Sequence, residues 1–259
     1  MEFFGFDVSA LLPFIGIGFV AQLVDGAIGM AFGVITNTLL VTGAFGLIAP
    51  MQPAHASARV HLVEMFTTAA SGISHVLHRN VDWKLFSRLA IPGVIGGVIG
   101  AYALTNIDAS VAKPFVMIYL SCIGFYLLYR AWGYTHEHRQ PKIIAPLGLI
   151  GGFLDAAGGG GWGPVVTSNL LIQGSSPRTT VGTVNTSEFF LTTAVSITFI
   201  SQLGIEAFTV ATFGLILGGL AAAPLGAFLA KRIPPQRLML MVGIVLSVTS
   251  LYSLYKALA

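Results

Sequence analysis

The sequence predicts an all-α polytopic membrane protein made of two inverted repeats, each a glycine-broken helical hairpin followed by three transmembrane helices. Three observations carry this reading. Only 9% of the 259 residues are charged and 55% are hydrophobic, against about 25% charged in a soluble domain. A water-facing surface cannot be built from that supply. Several apolar runs exceed about 18 residues, the length that spans a bilayer as a helix. The second half of the chain also repeats the first, with its Lys and Arg residues moved to the opposite loops. Outer-membrane barrels are excluded by the long apolar runs, because barrel strands are short and alternate.

The repeat is legible residue by residue. Asp25-Gly26-Ala27-Ile28-Gly29-Met30-Ala31-Phe32-Gly33 is answered by Asp155-Ala156-Ala157-Gly158-Gly159-Gly160-Gly161-Trp162-Gly163. Glu64-Met65-Phe66 is answered by Glu188-Phe189-Phe190, Pro53 by Pro177, and Gly100-Ala101-Tyr102 by Gly226-Ala227-Phe228. Leu128-Tyr129-Arg130-Ala131 returns as Leu254-Tyr255-Lys256-Ala257. The offset changes only at the glycine run and in loops, where insertions are tolerated.

The elements follow in order. The N-terminal repeat is 1–132. Its apolar region 10–48 is too long for one helix and short for two full spans, so it reads as a hairpin bent at Asp25–Gly33. Helices are expected at 55–78, 85–105 and 112–132. A polar loop, 133–142, links the halves. The C-terminal repeat, 143–259, restarts with a hairpin at 143–174 and continues with helices at 179–203, 206–230 and 236–257.

Charge orients these elements. Arg79, Lys84 and Arg88 follow the 55–78 span, while the equivalent loop of the second half, Gln202–Ala207, carries only Glu206. Conversely, Lys231, Arg232 and Arg237 separate the last two spans. With Arg130, Arg139, Lys142 and Arg178, these make ten of the 13 basic residues on one side. The positive-inside rule makes that side cytoplasmic and both termini external. Inversion needs an odd number of crossings per half, which three spans plus a returning hairpin supply.

Five ionisable residues fall in or near membrane segments: Asp25, Arg59, Glu64, Asp155 and Glu188. A charge at the bilayer centre costs about 2.5–3.5 kcal/mol on insertion scales, so such residues face a cavity or a partner. His61, Glu64, Thr68, Ser71 and His75 share one helical face, as do Asn185, Glu188, Thr192 and Ser196. These stripes fit a water-filled path or hydrogen bonds to a neighbouring helix. Arg59 answers to Thr183 and breaks the symmetry; it could bind an anion, pair with Glu64 or snorkel to the interface. Asp25 and Asp155 stand beside broken helix ends, where a carboxylate can equally cap free backbone N–H groups.

The glycine runs allow a hairpin to turn at membrane depth, which irregular backbone tolerates only within protein or around a cavity. Helix N-termini pointing there attract an anion. Gly158–Gly161 is no nucleotide loop, because no Gly-Lys-Ser/Thr follows. His-Glu-x-x-His and Gly-x-Ser-x-Gly are absent, and His136 and His138 are too few for a metal site. No enzyme activity, cofactor or metal is expected. The scattered basic residues argue against nucleic acid, and the single Cys122 against a disulfide framework. Glu2 and Asp7, with no Lys or Arg ahead of the first apolar run, argue against a cleavable signal.

The duplicated Asp-plus-glycine run, each followed by a polar helix, resembles the sulfite exporter TauE/SafE family over roughly 15–257. The resemblance implies two related halves and export of sulfite or a small organosulfur or sulfonate anion. The first run has fewer glycines than the second, a departure from equal hairpins. The expected mechanism is alternating access, with the anion between the hairpins and the helices at 55–78 and 179–203. Arg59, His61, Asn185, Gly29, Gly159, Gly160 and Gly161 are the expected binding residues. Glu64, Glu188, Asp25 and Asp155 are expected to couple, gate or brace, with Glu64 and Glu188 as carriers of a coupling proton. The competing expectation is a cation transporter or channel that uses these carboxylates. Membrane lipid is an expected partner, and the glycine-rich faces permit a homodimer.

Overall fold

Helix boundaries follow the punctuation of the sequence. The computed structural model describes residues 2–3, 6–28, 30, 32–77, 79–132, 141–167, 169–170, 173, 175, 177–204, 210–229 and 235–258. A two-residue antiparallel pairing, β1 (Glu2–Phe3) with β2 (Phe6–Asp7), precedes the helices. α1 (Val8–Ile28) and α2 (Phe32–Thr42) flank the break in the first glycine run. Next come α3 (Pro53–Leu77), α4 (Trp83–Asn106) and α5 (Ala109–Trp132). α6 (Ala145–Gly158) is followed by α7, a π-helical turn at Trp162–Thr167. The chain ends with α8 (Pro177–Leu203), α9 (Val210–Leu229) and α10 (Pro235–Leu258). The linker residues 133–140, the start of the expected 206–230 helix and the basic residues Lys231 and Arg232 lie outside the described residues.

Proline opens α3, α8 and α10, where its missing N–H costs nothing. Asp82 caps α4, its Oδ1 accepting from the Lys84 and Leu85 amides at 2.9 and 3.1 Å. Gly159 ends α6 in the left-handed conformation at φ +70°.

The main packing pairs are α1 with α9, α4 with α6, α3 with α8 and α5 with α10. Glycine makes the first two seams possible. A Cβ on Gly218 would enter the Ile15 carbonyl, and one on Gly152 the Gly93 carbonyl. In lipid, where helices gain little from apolar burial against each other, such close backbone approach is a main source of association. Gly152→Val is therefore expected to lower thermal stability in detergent by about 1–3 kcal/mol or more. Gly16→Ala, where nothing lies within 4 Å, should be neutral or stabilise by about 0.5–1 kcal/mol. Equal melting temperatures for the two variants would contradict this packing.

The outer surface is apolar. Ile91, Ile95, Ile99 and Tyr102 form an exposed stripe on α4, and Leu240, Ile244, Val248, Leu251 and Tyr255 one on α10. Such surfaces suit lipid rather than water. Trp83–Asn106 and Pro114–Trp132 are long and apolar enough to cross a membrane. Ala10–Asp25, Phe32–Thr42, Ala145–Gly158 and Val210–Ala222 are apolar but shorter. α3 and α8 are longer still, at 25 and 27 residues, but bury polar stripes. His61, Glu64 and Thr68 are buried on α3; Asn185, Thr192 and Ser196 are buried on α8.

Candidate functional site

The two glycine breaks, between α1 and α2 and between α6 and α7, touch each other. Gly160, at φ +138°, is packed so tightly on Gly33 and Val34 that a Cβ would overlap their backbone. Asn37 of α2 donates to the Gly158 carbonyl at 2.5 Å, and the Tyr119 hydroxyl of α5 donates to the Gly160 carbonyl at 3.4 Å. The Gly160 amide returns to the Asp155 carbonyl at 2.9 Å. Trp162 is fully buried. Its indole N–H donates to the Val184 carbonyl at 3.2 Å, and its ring lies against Gly93.

Each break is capped by its own aspartate. Asp25 Oδ1 accepts from the Phe32 amide at 3.1 Å. Asp155 Oδ1 accepts from the Gly161 and Trp162 amides at 2.7 and 2.8 Å. These amides open α2 and α7 and have no partner within their own helices. The other oxygen of Asp155 meets His61 Nε2 at 2.9 Å. His61 Nδ1 is held by the Ser57 carbonyl at 2.8 Å, and the Ser57 hydroxyl donates to the Ala156 carbonyl at 2.7 Å. Helix α3 thus grips the end of α6 at two consecutive residues.

A small polar cavity lies where the hairpins meet. Asp25, Glu64, Asp155 and Glu188 line it with Gly33, Gly160, Gly161 and Gly163. It has room for about one water. Glu64 is 4% exposed, and its Oε2 has no hydrogen-bond partner; the Gly33 amide faces its carboxylate. Glu188 is half-buried. Among the described residues, no Lys or Arg lines this cavity.

The sequence-expected residues divide. The four carboxylates, Gly160 and Gly161 come together at the cavity, and Gly159 adjoins it. His61 stands one shell back, behind Asp155. Asn185 is buried, its amide donating to the Val181 carbonyl of its own helix at 3.0 Å. Arg59 donates to the His55 carbonyl at 2.9 Å and does not line the cavity. Gly29 lies outside the described residues. Asn37, Ser57 and Tyr119 were not singled out from sequence. Asn37 carried a signal, a carboxamide within the apolar run of α2; the serine and tyrosine carried none.

An apolar exterior around buried helix breaks held by carboxylates is the arrangement of a helical membrane protein. The family model for Sulfite exporter TauE/SafE matches residues 14–253. The chain belongs to that family. It is 44% identical over 245 residues to the "Probable membrane transporter protein YtnM" of Bacillus subtilis (strain 168), which covers 91% of this chain and 80% of that protein. No solved structure matches. The chain is a membrane transporter, and family and relative alike point to transport rather than catalysis.

Proposed function

We propose that this protein exports sulfite or another small organosulfur anion across a bacterial-type inner membrane by alternating access, with proton uptake by the central carboxylates. The observation that carries the reading is the meeting of the two glycine breaks around a cavity lined by Asp25, Glu64, Asp155 and Glu188. Membership of a family described as a sulfite exporter supports this choice of substrate class. The packing supports an inverted repeat with Asp25 matched to Asp155. α1 on α9 mirrors α6 on α4, while α3 and α5 each pair with their own counterparts, α8 and α10. A two-fold relation between halves generates that pattern, and the swapped Lys and Arg loops make the relation an inversion.

An acidic cavity can serve an anion only if its carboxylates are neutral when the anion is present. A protonated Glu also donates a hydrogen bond. Anion and proton then raise each other's affinity by the same factor. An inside-negative potential favours anion exit by about 2.3 kcal/mol per charge per 100 mV. Lowering the pH should therefore tighten binding of a small sulfonate, and Glu188→Gln should flatten that dependence. An unchanged pH profile in Glu188→Gln would remove Glu188 as the coupling group. Glu64→Gln should likewise weaken the pH dependence while raising thermal stability, because a neutral amide replaces a buried carboxylate whose Oε2 lacks a partner. A lower melting temperature would argue that Glu64 braces the fold.

The second reading, a cation transporter or channel, is favoured by the four carboxylates with no basic residue among the described residues of the lining. Flux into proteoliposomes separates the two. Labelled sulfite or a small sulfonate is expected to move and a cation is not. Cation flux with no anion flux under any gradient would overturn the proposal.

A further inference from the structure

One buried titratable pair adjoins the cavity. His61 is 0% exposed and Asp155 1%. His61 Nδ1 faces the Ser57 carbonyl, which can only accept, so Nδ1 carries a hydrogen. The Ser57 hydroxyl agrees, because its own hydrogen goes to the Ala156 carbonyl and its oxygen faces Nδ1 at 3.3 Å. A neutral ring protonated at Nδ1 has a bare lone pair at Nε2. That lone pair would face Asp155 Oδ2 at 2.9 Å. Two acceptors do not stand at that distance without a hydrogen between them. Asp155 Oδ1 already accepts from two amides, so the hydrogen lies between Nε2 and Oδ2. The pair thus holds one proton more than a neutral imidazole beside a carboxylate anion, and it is neutral overall.

From this we infer that His61 and Asp155 form a proton-binding latch that fastens the end of α6 and its glycine break to α3. Release of the proton to water in the cavity leaves Asp155 an anion and His61 a neutral ring whose lone pair repels it. Asp155 stays on the Gly161 and Trp162 amides, and its tie to α3 is lost. The groups facing the pair are Glu64 on α3, Glu188 on α8, Asp25 on α1 and Tyr119 on α5. Phe199 of α8 covers the imidazole, ring centres 6.0 Å apart. Loss of that proton opens the latch, so it opens as the pH rises. The inference rests on the transport reading, because a latch matters only if the hairpins part.

Trp162 provides a local probe, since its amide is bound by Asp155. Trp83 and Trp132 are exposed and can be replaced by Phe. In that background, Trp162 emission should shift to the red and acrylamide quenching should increase as the pH rises. His61→Gln, which holds Asp155 with a neutral N–H at every pH, should lose the shift. A second measurement uses the unmutated protein: ¹⁵N NMR of the His61 ring in nanodiscs should show Nε2 bound to a proton before the fluorescence change and bare after it. No shift in the parent, the same shift in His61→Gln, or a bare Nε2 throughout would overturn the latch. If labelled sulfite and small sulfonates fail to move while both transitions coincide, the transport reading fails and the proton site stands.

Discussion

Asp155→Ala is expected to abolish transport and to lower unfolding stability by about 3–5 kcal/mol, the range for removing one partner of a buried charged pair. Three groups lose their acceptor at once: the Gly161 amide, the Trp162 amide and His61 Nε2. All are buried, so water does not replace the carboxylate without rearrangement. Asp155→Asn separates the effects. Its carboxamide oxygen can still accept from the two amides, and much of the stability should return while proton-dependent behaviour does not. Thermal unfolding in detergent and sulfite flux in proteoliposomes measure the two quantities. An alanine variant that melts within about 1 kcal/mol of the parent would mean that the carboxylate does not hold the break.

Gly160→Ala has the second-largest expected effect. Its φ of +138° lies in a region where side chains are strained by about 1–3 kcal/mol. The new methyl would also strike the backbone of Gly33 and Val34, which cannot rotate away as a side chain would. The two hairpin breaks must then separate, and the cavity between them changes shape. Transport should fall by at least about a hundredfold, since a displacement of about 1 Å at a positioned site can cost that much. Gly46→Ala is a useful control. It also has positive φ, at +91°, but nothing lies within 4 Å, so it should show strain without loss of transport. Equal loss in both variants would assign the effect to strain alone.

The all-helical class was legible because composition is a bulk property: 9% charge in 259 residues admits few architectures. The polar stripes on α3 and α8 were legible because helical spacing places i, i+3 and i+4 on one face. The capping role open to Asp25 and Asp155 was legible as one of two options, since a carboxylate beside a broken helix end suits both. The contact of His61 with Asp155 was not. The two residues are 94 positions apart, and no local pattern encodes which polar group of one helix meets which break of another. The same holds for Asn37 on Gly158 and Tyr119 on Gly160. Arg59 illustrates the reverse. A lone arginine near a membrane suggests an anion ligand, but its guanidinium reaches the His55 carbonyl one turn back on the same helix. Sequence spacing put it near the polar stripe, while its place on the helix keeps it out of the cavity lining.

If the cavity between the hairpins is the substrate site, it must be reached from each face of the membrane in turn. Val34 is the position to probe, because it lines the cavity and is 1% exposed. Val34→Cys in a Cys122→Ser background leaves one thiol, Cys122 being the only cysteine of the sequence. A membrane-impermeant thiol reagent should label that introduced thiol from either side, and more slowly when a small sulfonate is present. Labelling from neither side, or labelling that the sulfonate does not slow, would contradict a substrate site with alternating access between the hairpins.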